Sequence, residues 1–511
     1  MKKTTYKKIM SVVLLFSLML SSCTKDFQEI NTDPNNTPTA LPQQLLAPAL
    51  VSTLGYNMIR NRSFNNELMQ VTVDMSDAEG KVFRYDFRSS WSDYQYNGWY
   101  SELTNFKDIY QIASEPLNFN KSYMAISLIC QSWIYSLLTD TYGDVPYSES
   151  NRAKSDGILE PKFDRQQDIY LDIFQKLEEA NTLLSEGNSI VASSDPVYQG
   201  NIARWRKFGN SLYLRLLLRI SGKAEVTQLV SAKIKDIFET NAANYPIMAN
   251  NAESAILRWT GVAPYTSPLM SVREQDFRAP GIGSFFIDNL VTWNDPRIDL
   301  AYGTGSPTVT NRFAIAPFQG SFAGIPSGYA PGNNPGKKSY FYSITNNGNT
   351  GPTLMTEPLG GMIMNYAELQ FILAEAAAKG WINSSAETHY NQGVQASITL
   401  WLPNWSVPVT DYLIAADMQW IPGASLEAKM ERIHLQKYYA LFLTDFQQWF
   451  EFRRTGHPVL PQGAGLRNNG VMPARMTYPV YVQSTNPTNY QAAIANQGPD
   501  LISTQVWWQK P

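Results

Sequence analysis

Five segments of this 511-residue chain place apolar residues at helical spacing, and the stretch 251–358, lying between the third and the fourth, does not. This alternation restricts the fold more than any other feature, because an amphipathic helix must bury one face against another element. In SYMAISLICQSWIYSLLTDTYGDVPY (122–147), Ile126, Ile129, Trp133 and Leu137 recur at that spacing until Gly143 and Pro146 stop the helix. DRQQDIYLDIFQKLEEANTLL (164–184) predicts a second helix, with Asp164 as its N-cap and Ile169, Ile173, Leu177, Ala180 and Leu184 along one face. RWRKFGNSLYLRLLLRIS (204–221) is apolar nearly all round apart from Arg204, Arg206, Arg215 and Arg219, which predicts an enclosed helix. Helices resume in NYAELQFILAEAAAKGW (365–381), with a stripe of Tyr366, Leu369, Leu373 and Ala377 and a C-cap at Gly380. One long pattern then runs through 426–456, its buried side marked by Ile433, Tyr438, Leu441, Phe446, Trp449 and Phe450. The expected fold is mainly α, with a few short strands in the loops. No linker separates the helical blocks, so 43–511 reads as one domain. The Trp, Leu-Gly and Tyr spacing of a tetratricopeptide repeat is absent, although paired helices can stack that way without it.

The N-terminus has a different character. Lys2, Lys3, Lys7 and Lys8 precede an apolar run over 9–20 that has the charge and length of a secretory signal and is too short for a permanent membrane span. It ends Leu20-Ser21-Ser22-Cys23, a pattern similar to the bacterial lipobox, in which the cysteine thiol is acylated and becomes the first mature residue. Residues 1–22 are thus expected to be removed and Cys23 to be the lipid attachment point. NTDPNNTPTALP then completes a polar segment, 23–42, that reads as a flexible tether. The second cysteine, Cys130, stands in an apolar helix and reads as a small buried hydrophobe, which leaves no disulfide framework.

Several function classes have little material. A formal charge of −3 with 17% charged residues provides no basic footprint for nucleic acid. The three histidines, His389, His434 and His457, lack metal-site or triad spacing, and there is no P-loop, nucleophile elbow or C-x-x-C pair, so no cofactor or metal is expected. GIGSFFI (281–287) lacks the strand that should precede a nucleotide loop and reads as a turn. A glycosidase needs only two carboxylates, and Asp140 with Asp144 would supply them; both sit at a helix end with Gly and Pro, where Asp commonly bonds backbone amides, so a structural role is favoured.

Binding asks less of a sequence. A sugar ring stacks its C–H face on Trp or Tyr while its hydroxyls bond Asn, Asp, Gln and Arg. FRYDFRSSWSDYQYNGWY (83–100) interleaves these types, and Arg88, Trp91, Asp93, Tyr94, Tyr96 and Asn97 would form a platform if exposed. Trp99 and Tyr100 read as core, while for Trp91 and Tyr96 both readings stay open. A second group, Trp259, Tyr265, Tyr302, Phe322, Tyr329, Tyr340 and Tyr342, lies in the Gly- and Pro-rich 251–358 stretch, where long irregular segments commonly build a functional surface.

Taken in order, CTKDFQEINTDPN, LLTDTYGDVPYSES, PKFDRQQDIYLDIFQKLEEA, RWRKFGNSLYLRLLLRIS, MNYAELQFILAEAAAKGW, ALFLTDFQQWFEFRRTGHP and PARMTYPVYVQSTNPTNYQAA resemble the SusD and RagB superfamily of Bacteroidetes-type surface lipoproteins, in its SusD-like branch. The resemblance spans nearly the whole chain and is thinnest in the central loops. It implies a scaffold of tetratricopeptide-type helical pairs with loops as the ligand surface. It also implies a role as the lid of a SusC-like, TonB-dependent outer-membrane transporter, capturing oligosaccharide outside the cell. Lys25-Asp26 resembles the family's surface-export signal, with Phe27 where a second acid is common. The alternatives are a surface glycoside hydrolase and a lid for peptide or another non-glycan ligand.

Overall fold

Apolar periodicity becomes helix where the sequence places it, and side-chain caps fix where most of those helices start. The computed structural model describes residues 40–299, 311–345 and 352–510. Cys23, the signal segment, most of the tether and Tyr302 lie outside the described residues. The principal helices are α1 (Pro42–Arg60), α2 (Asp93–Ser114), α3 (Lys121–Tyr142), α4 (Gln166–Ser185), α5 (Ile202–Ile220), α6 (Tyr366–Ala378), α7 (Ala386–Trp401), α8 (Leu426–Ala440), α9 (Gln447–Thr455), α10 (Val480–Thr485) and α11 (Pro487–Gln497). Asn120, Asn201, Asn365, Ser385 and Ser425 each accept a hydrogen bond from a first-turn amide of α3, α5, α6, α7 and α8 respectively, a contribution of about 1 kcal/mol per cap. Gly143, at φ 84°, ends α3 in a conformation that favours glycine.

From α1 to α7 each of these helices packs on the next in chain order, and α8 packs on both α6 and α7. This is the stacked-hairpin scaffold expected of a tetratricopeptide-type fold. α1 runs antiparallel to α2: the Trp99 indole donates to Asn57 Oδ1 at 2.8 Å and Arg60 Nε to Gln95 Oε1 at 3.2 Å. Gly98 makes that approach possible, since a Cβ there would lie 2.6 Å from the Tyr56 ring. Strands are few among the described residues. Three antiparallel pairs join Thr72–Val73 to Gly281–Ile282, Val145–Pro146 to Phe163–Asp164, and Ala255–Leu257 to Gly361–Met364. The described residues from Pro42 onward form one compact unit. No helix among the described residues is long and apolar enough to cross a membrane.

The structure departs from the sequence expectations locally. Asp164 does not cap α4, which begins two residues later; its carboxylate accepts from the amides of Tyr147 and Ser148 and so ties the β-pair turn instead. The long 426–456 pattern is two helices, because Leu443 and Asp445 take positive φ between α8 and α9. That break presents backbone to α1's continuation: Asn61 Nδ2 donates to Asp445 O at 2.6 Å, and Asn65 Nδ2 to Gln448 Oε1 at 2.7 Å. Asn61–Asn65 is a π-turn, which directs both asparagines inward. GIGSFFI is a short strand running into the helix Ser284–Thr292, and Gly283 is required because a Cβ would fall 1.9 Å from Gln70 O. Close backbone packing, not phosphate, explains that glycine.

The enclosed helix α5 buries two of its arginines in ion pairs, while Arg204 and Arg206 are half-buried. Arg215 meets Glu368, and Arg219 lies between Asp140 and Glu451. Arg454 spans Glu375 and Glu451, and Lys437 also meets Glu451. Burial is less well compensated at Glu67, which accepts from the Phe83 amide. Burial first, then the charge of Asp74, pushes the Glu67 carboxyl up to about 8. The folded protein therefore keeps this proton to higher pH than the unfolded chain, and stability falls as pH rises between the ordinary value of 4.5 and about 8. We expect the thermal midpoint to decline across that interval and Glu67→Gln to flatten the decline. Parallel slopes for the two proteins in scanning fluorimetry at a series of pH values would contradict this assignment.

Candidate functional site

The C-terminal end of α1, at Tyr56 and Arg60, carries an aromatic and cationic platform. Tyr94 is 39% exposed, and its ring meets Tyr56 edge-on at 5.1 Å. The Arg60 guanidinium lies 4.7 Å from the Trp91 ring centre and 4.9 Å from that of Tyr94, so one cation holds two aromatic rings in place. Trp91 is half-buried, its inner side on Phe64 at 5.9 Å. Arg88 is exposed and runs over Gly80. Asp93 opens α2, where a carboxylate suits the positive helix end, and its Oδ1 is buried with no hydrogen-bond partner among the described residues. These side chains present flat apolar faces beside hydrogen-bonding groups.

A cleft of about 530 Å³ adjoins the platform. Asn97, one turn on from Tyr94, lines it together with Tyr100, Phe163, Tyr481 and Asn486, and none of its lining residues is charged. Tyr481 of α10 donates to Asn97 Oδ1, which leaves the Asn97 amide hydrogens facing solvent. Asn151 is locked by donation to Tyr100 O at 2.7 Å and Thr104 Oγ1 at 2.9 Å. Burial holds the Tyr96 and Tyr100 hydroxyls well above their ordinary pKa, so both stay neutral. The cleft suits an uncharged, hydrogen-bonding ligand with apolar faces.

The other sequence candidates divide. Tyr96 is only 5% exposed and packs on Tyr142 and Tyr100, so just its edge reaches the cleft. Trp259 is buried against Met58, and Tyr329 is buried on Phe83 with its hydroxyl on Asp74 O. The exposure expected of Trp259 and Tyr329 is corrected, and of the two readings left open for Tyr96 the core one applies to its ring, as it does to Trp99. Tyr100, read as core, is half-buried and lines the cleft. Tyr265, Phe322, Tyr340 and Tyr342 are half-buried. Tyr340 and Tyr342 lie 6.2 Å apart, with the Lys337 ammonium 4.1 Å from the Tyr340 ring centre. Contacts link them back to α1: Lys337 donates to Arg278 O, and Arg62 reaches Asp276 O and the Phe277 ring. Sequence reading missed Tyr56, Arg60 and Tyr481. Tyr56 and Arg60 stand at i and i+4 on a helix, a legible pairing, whereas nothing in the sequence brings Tyr481 to Asn97.

The carboxylates considered for catalysis are already engaged. Asp140 is buried against Arg219 and accepts from the Tyr170 hydroxyl at 2.6 Å and the Trp508 indole at 2.8 Å. Asp144 accepts from the Gln166 amide and from Asn496. Glu375, His434 and Glu451 bring three ligand atoms within 4.8 Å of one another, yet Arg454, Lys379 and Lys437 already neutralise both carboxylates. A metal cation would have to displace ammonium and guanidinium groups there.

Comparison with known proteins places this geometry in context. A family model described as SusD-like, starch-binding and associating with the outer membrane matches residues 34–479. A SusD homolog from Bacteroides fragilis is 25% identical, with a TM-score of 0.74 over 92% of this chain and 100% of the other. An outer-membrane protein of Bacteroides vulgatus, described as involved in nutrient binding, is 26% identical, with a TM-score of 0.72 over 92% of this chain and 100% of its own. A chitin-binding SusD homolog from Flavobacterium johnsoniae shares the fold at 19% identity, TM-score 0.74, over 92% and 98%. Among curated protein sequences none matches.

Proposed function

Because the chain belongs to the SusD-like family of starch-binding, outer-membrane-associated proteins, we propose that it is a non-catalytic, lipid-anchored receptor for neutral oligosaccharide and the lid of a SusC-like transporter. The observation that carries the reading is the Trp91–Arg60–Tyr94 platform, one helical turn from Asn97, which lines an uncharged cleft of about 530 Å³. Rings of Trp and Tyr accept the C–H face of a pyranose, and Asn97, which lines the cleft, offers its amide hydrogens to a sugar hydroxyl. Starch oligosaccharides, from the family description, and chitin oligosaccharides, from a structural relative, are the first probes. Calorimetry with maltohexaose and chitohexaose tests the reading together with an assay for new reducing ends. Stoichiometric binding without turnover supports a receptor, and turnover favours the hydrolase.

Anchor and partner follow from the same reading. Acylation requires the Cys23 sulfur, so Cys23→Ala is expected to release the protein from the membrane fraction or leave it unprocessed; a processed, fully membrane-bound variant would refute the lipid anchor. A receptor with no spanning helix among its described residues needs another molecule to move solute. In mild detergent the protein is expected to co-purify with a TonB-dependent barrel, across an interface above about 2,000 Å² if the assembly is stable. Recovery of the lipoprotein alone from native membranes at low salt would count against the lid role.

A further inference from the structure

A second depression, of about 380 Å³, lies where α6, α7 and the turn at 250–251 meet, within the roughly 300–1,000 Å³ range of small-molecule sites. Its wall is Tyr366 at the start of α6, Asn250 and Asn251 in the turn, and Gln392, Gln395 and Thr399 on α7. The α7 residues fall at i, i+3 and i+7, one face of the helix. The wall is rigid on one side, because Asn251 Nδ2 donates to Ala396 O at 2.9 Å and to Thr399 Oγ1 at 3.1 Å, locking the turn against α7. It is open on the other: Gln392 and Gln395 are exposed, and neither their carboxamides nor the Tyr366 hydroxyl bond any described residue.

The chemistry of this wall is selective. Each carboxamide both donates and accepts, which matches hydroxyl and acetamido groups, and the half-buried Tyr366 ring offers an apolar surface beside them. No lining residue is charged, so a charged ligand would lose hydration with no counter-charge to replace it. We propose that this depression is a second subsite for neutral sugar, an inference that rests on the primary surface being a glycan site. Helices α3, α4 and α5 stand between α2 and the α6–α7 pair in the packing order, so the two sites share no residue and one short oligosaccharide would occupy one at a time. A long polymer would engage both, and retention would rise by avidity without new contacts.

Native mass spectrometry with chitohexaose and maltohexaose tests the stoichiometry, and affinity electrophoresis in glycol chitin and in amylopectin tests the avidity. Wild type is expected to take up two hexasaccharides. Tyr366→Ala, and independently the exposed pair Gln392→Ala/Gln395→Ala, should take up one and lose about tenfold or more in polymer retention, with the tighter hexasaccharide affinity unchanged. The glutamine pair guards against misfolding, since neither side chain is buried. One hexasaccharide on wild type, or unaltered polymer retention in the glutamine variant, overturns the second subsite and leaves the primary reading standing. Absence of binding by wild type to either probe overturns both.

Discussion

Replacing Trp91 and Tyr94 together by alanine is expected to lower affinity for the bound oligosaccharide about a thousandfold. On the proposed function each ring, held by Arg60, acts as a stacking anchor of roughly 2 kcal/mol, and 1.4 kcal/mol is tenfold. Tyr94 is 39% exposed and contributes little to the core, so its single replacement should leave thermal unfolding close to wild type. Trp91 also packs on Phe64, and its replacement should cost some stability as well as affinity. Tyr96→Ala belongs to another class: with its ring against Tyr142 and Tyr100, it should destabilise by about 3–5 kcal/mol, its main effect being on folding. Calorimetry with the hexasaccharides, paired with denaturant unfolding, separates these outcomes. Near-wild-type affinity in a folded Trp91→Ala/Tyr94→Ala protein would move the ligand surface elsewhere.

Arg454→Met is expected to destabilise the scaffold severely. Arg454 donates at 2.7 and 2.8 Å to Glu375 and at 2.8 Å to Glu451, and its charge is the leading influence holding both buried carboxyls well below their ordinary range against burial. Removing it leaves two buried carboxylates short of a counter-charge, at a cost of about 3–5 kcal/mol. Such depressed carboxyls contribute stability above the ordinary value of 4.5 that is lost as pH falls through their lower folded values. The variant should therefore lose part of the wild-type protein's acid-side dependence along with its stability at neutral pH. An unchanged denaturation midpoint at pH 7 would mean that Lys379 and Lys437 suffice without Arg454.

How much of this was legible in the chain depends on the range of the forces involved. Helix α3 and its stop at Gly143 follow from periodicity and a local backbone preference, both written within one segment. The break between α8 and α9 was not legible, because the turn is stabilised by Asn61 and Asn65, nearly 400 residues earlier in the chain. The same distinction divides the site residues. Trp91, Tyr94 and Asn97 stand out as aromatics and amides crowded at a helix start, whereas Tyr96, one step away, turns inward because neighbouring helix positions face different directions. Trp259 and Tyr329 lie in loop sequence, yet Met58 and Phe83 cover them. Glycine and proline around an aromatic reveal irregular backbone, not which side of it faces water.

Helix α1 runs from Pro42 toward the platform, and Tyr56 and Arg60 stand at its C-terminal end. Nineteen residues at about 1.5 Å each give a lever arm of about 28 Å. Tilting this helix about Pro42 by about 10° would carry Tyr56 and Arg60 through an arc of about 5 Å, roughly one helical turn. Because Asn57, Arg60 and the Tyr56–Gly98 contact join the last turns of α1 to the start of α2, the rings on both helices would be displaced together.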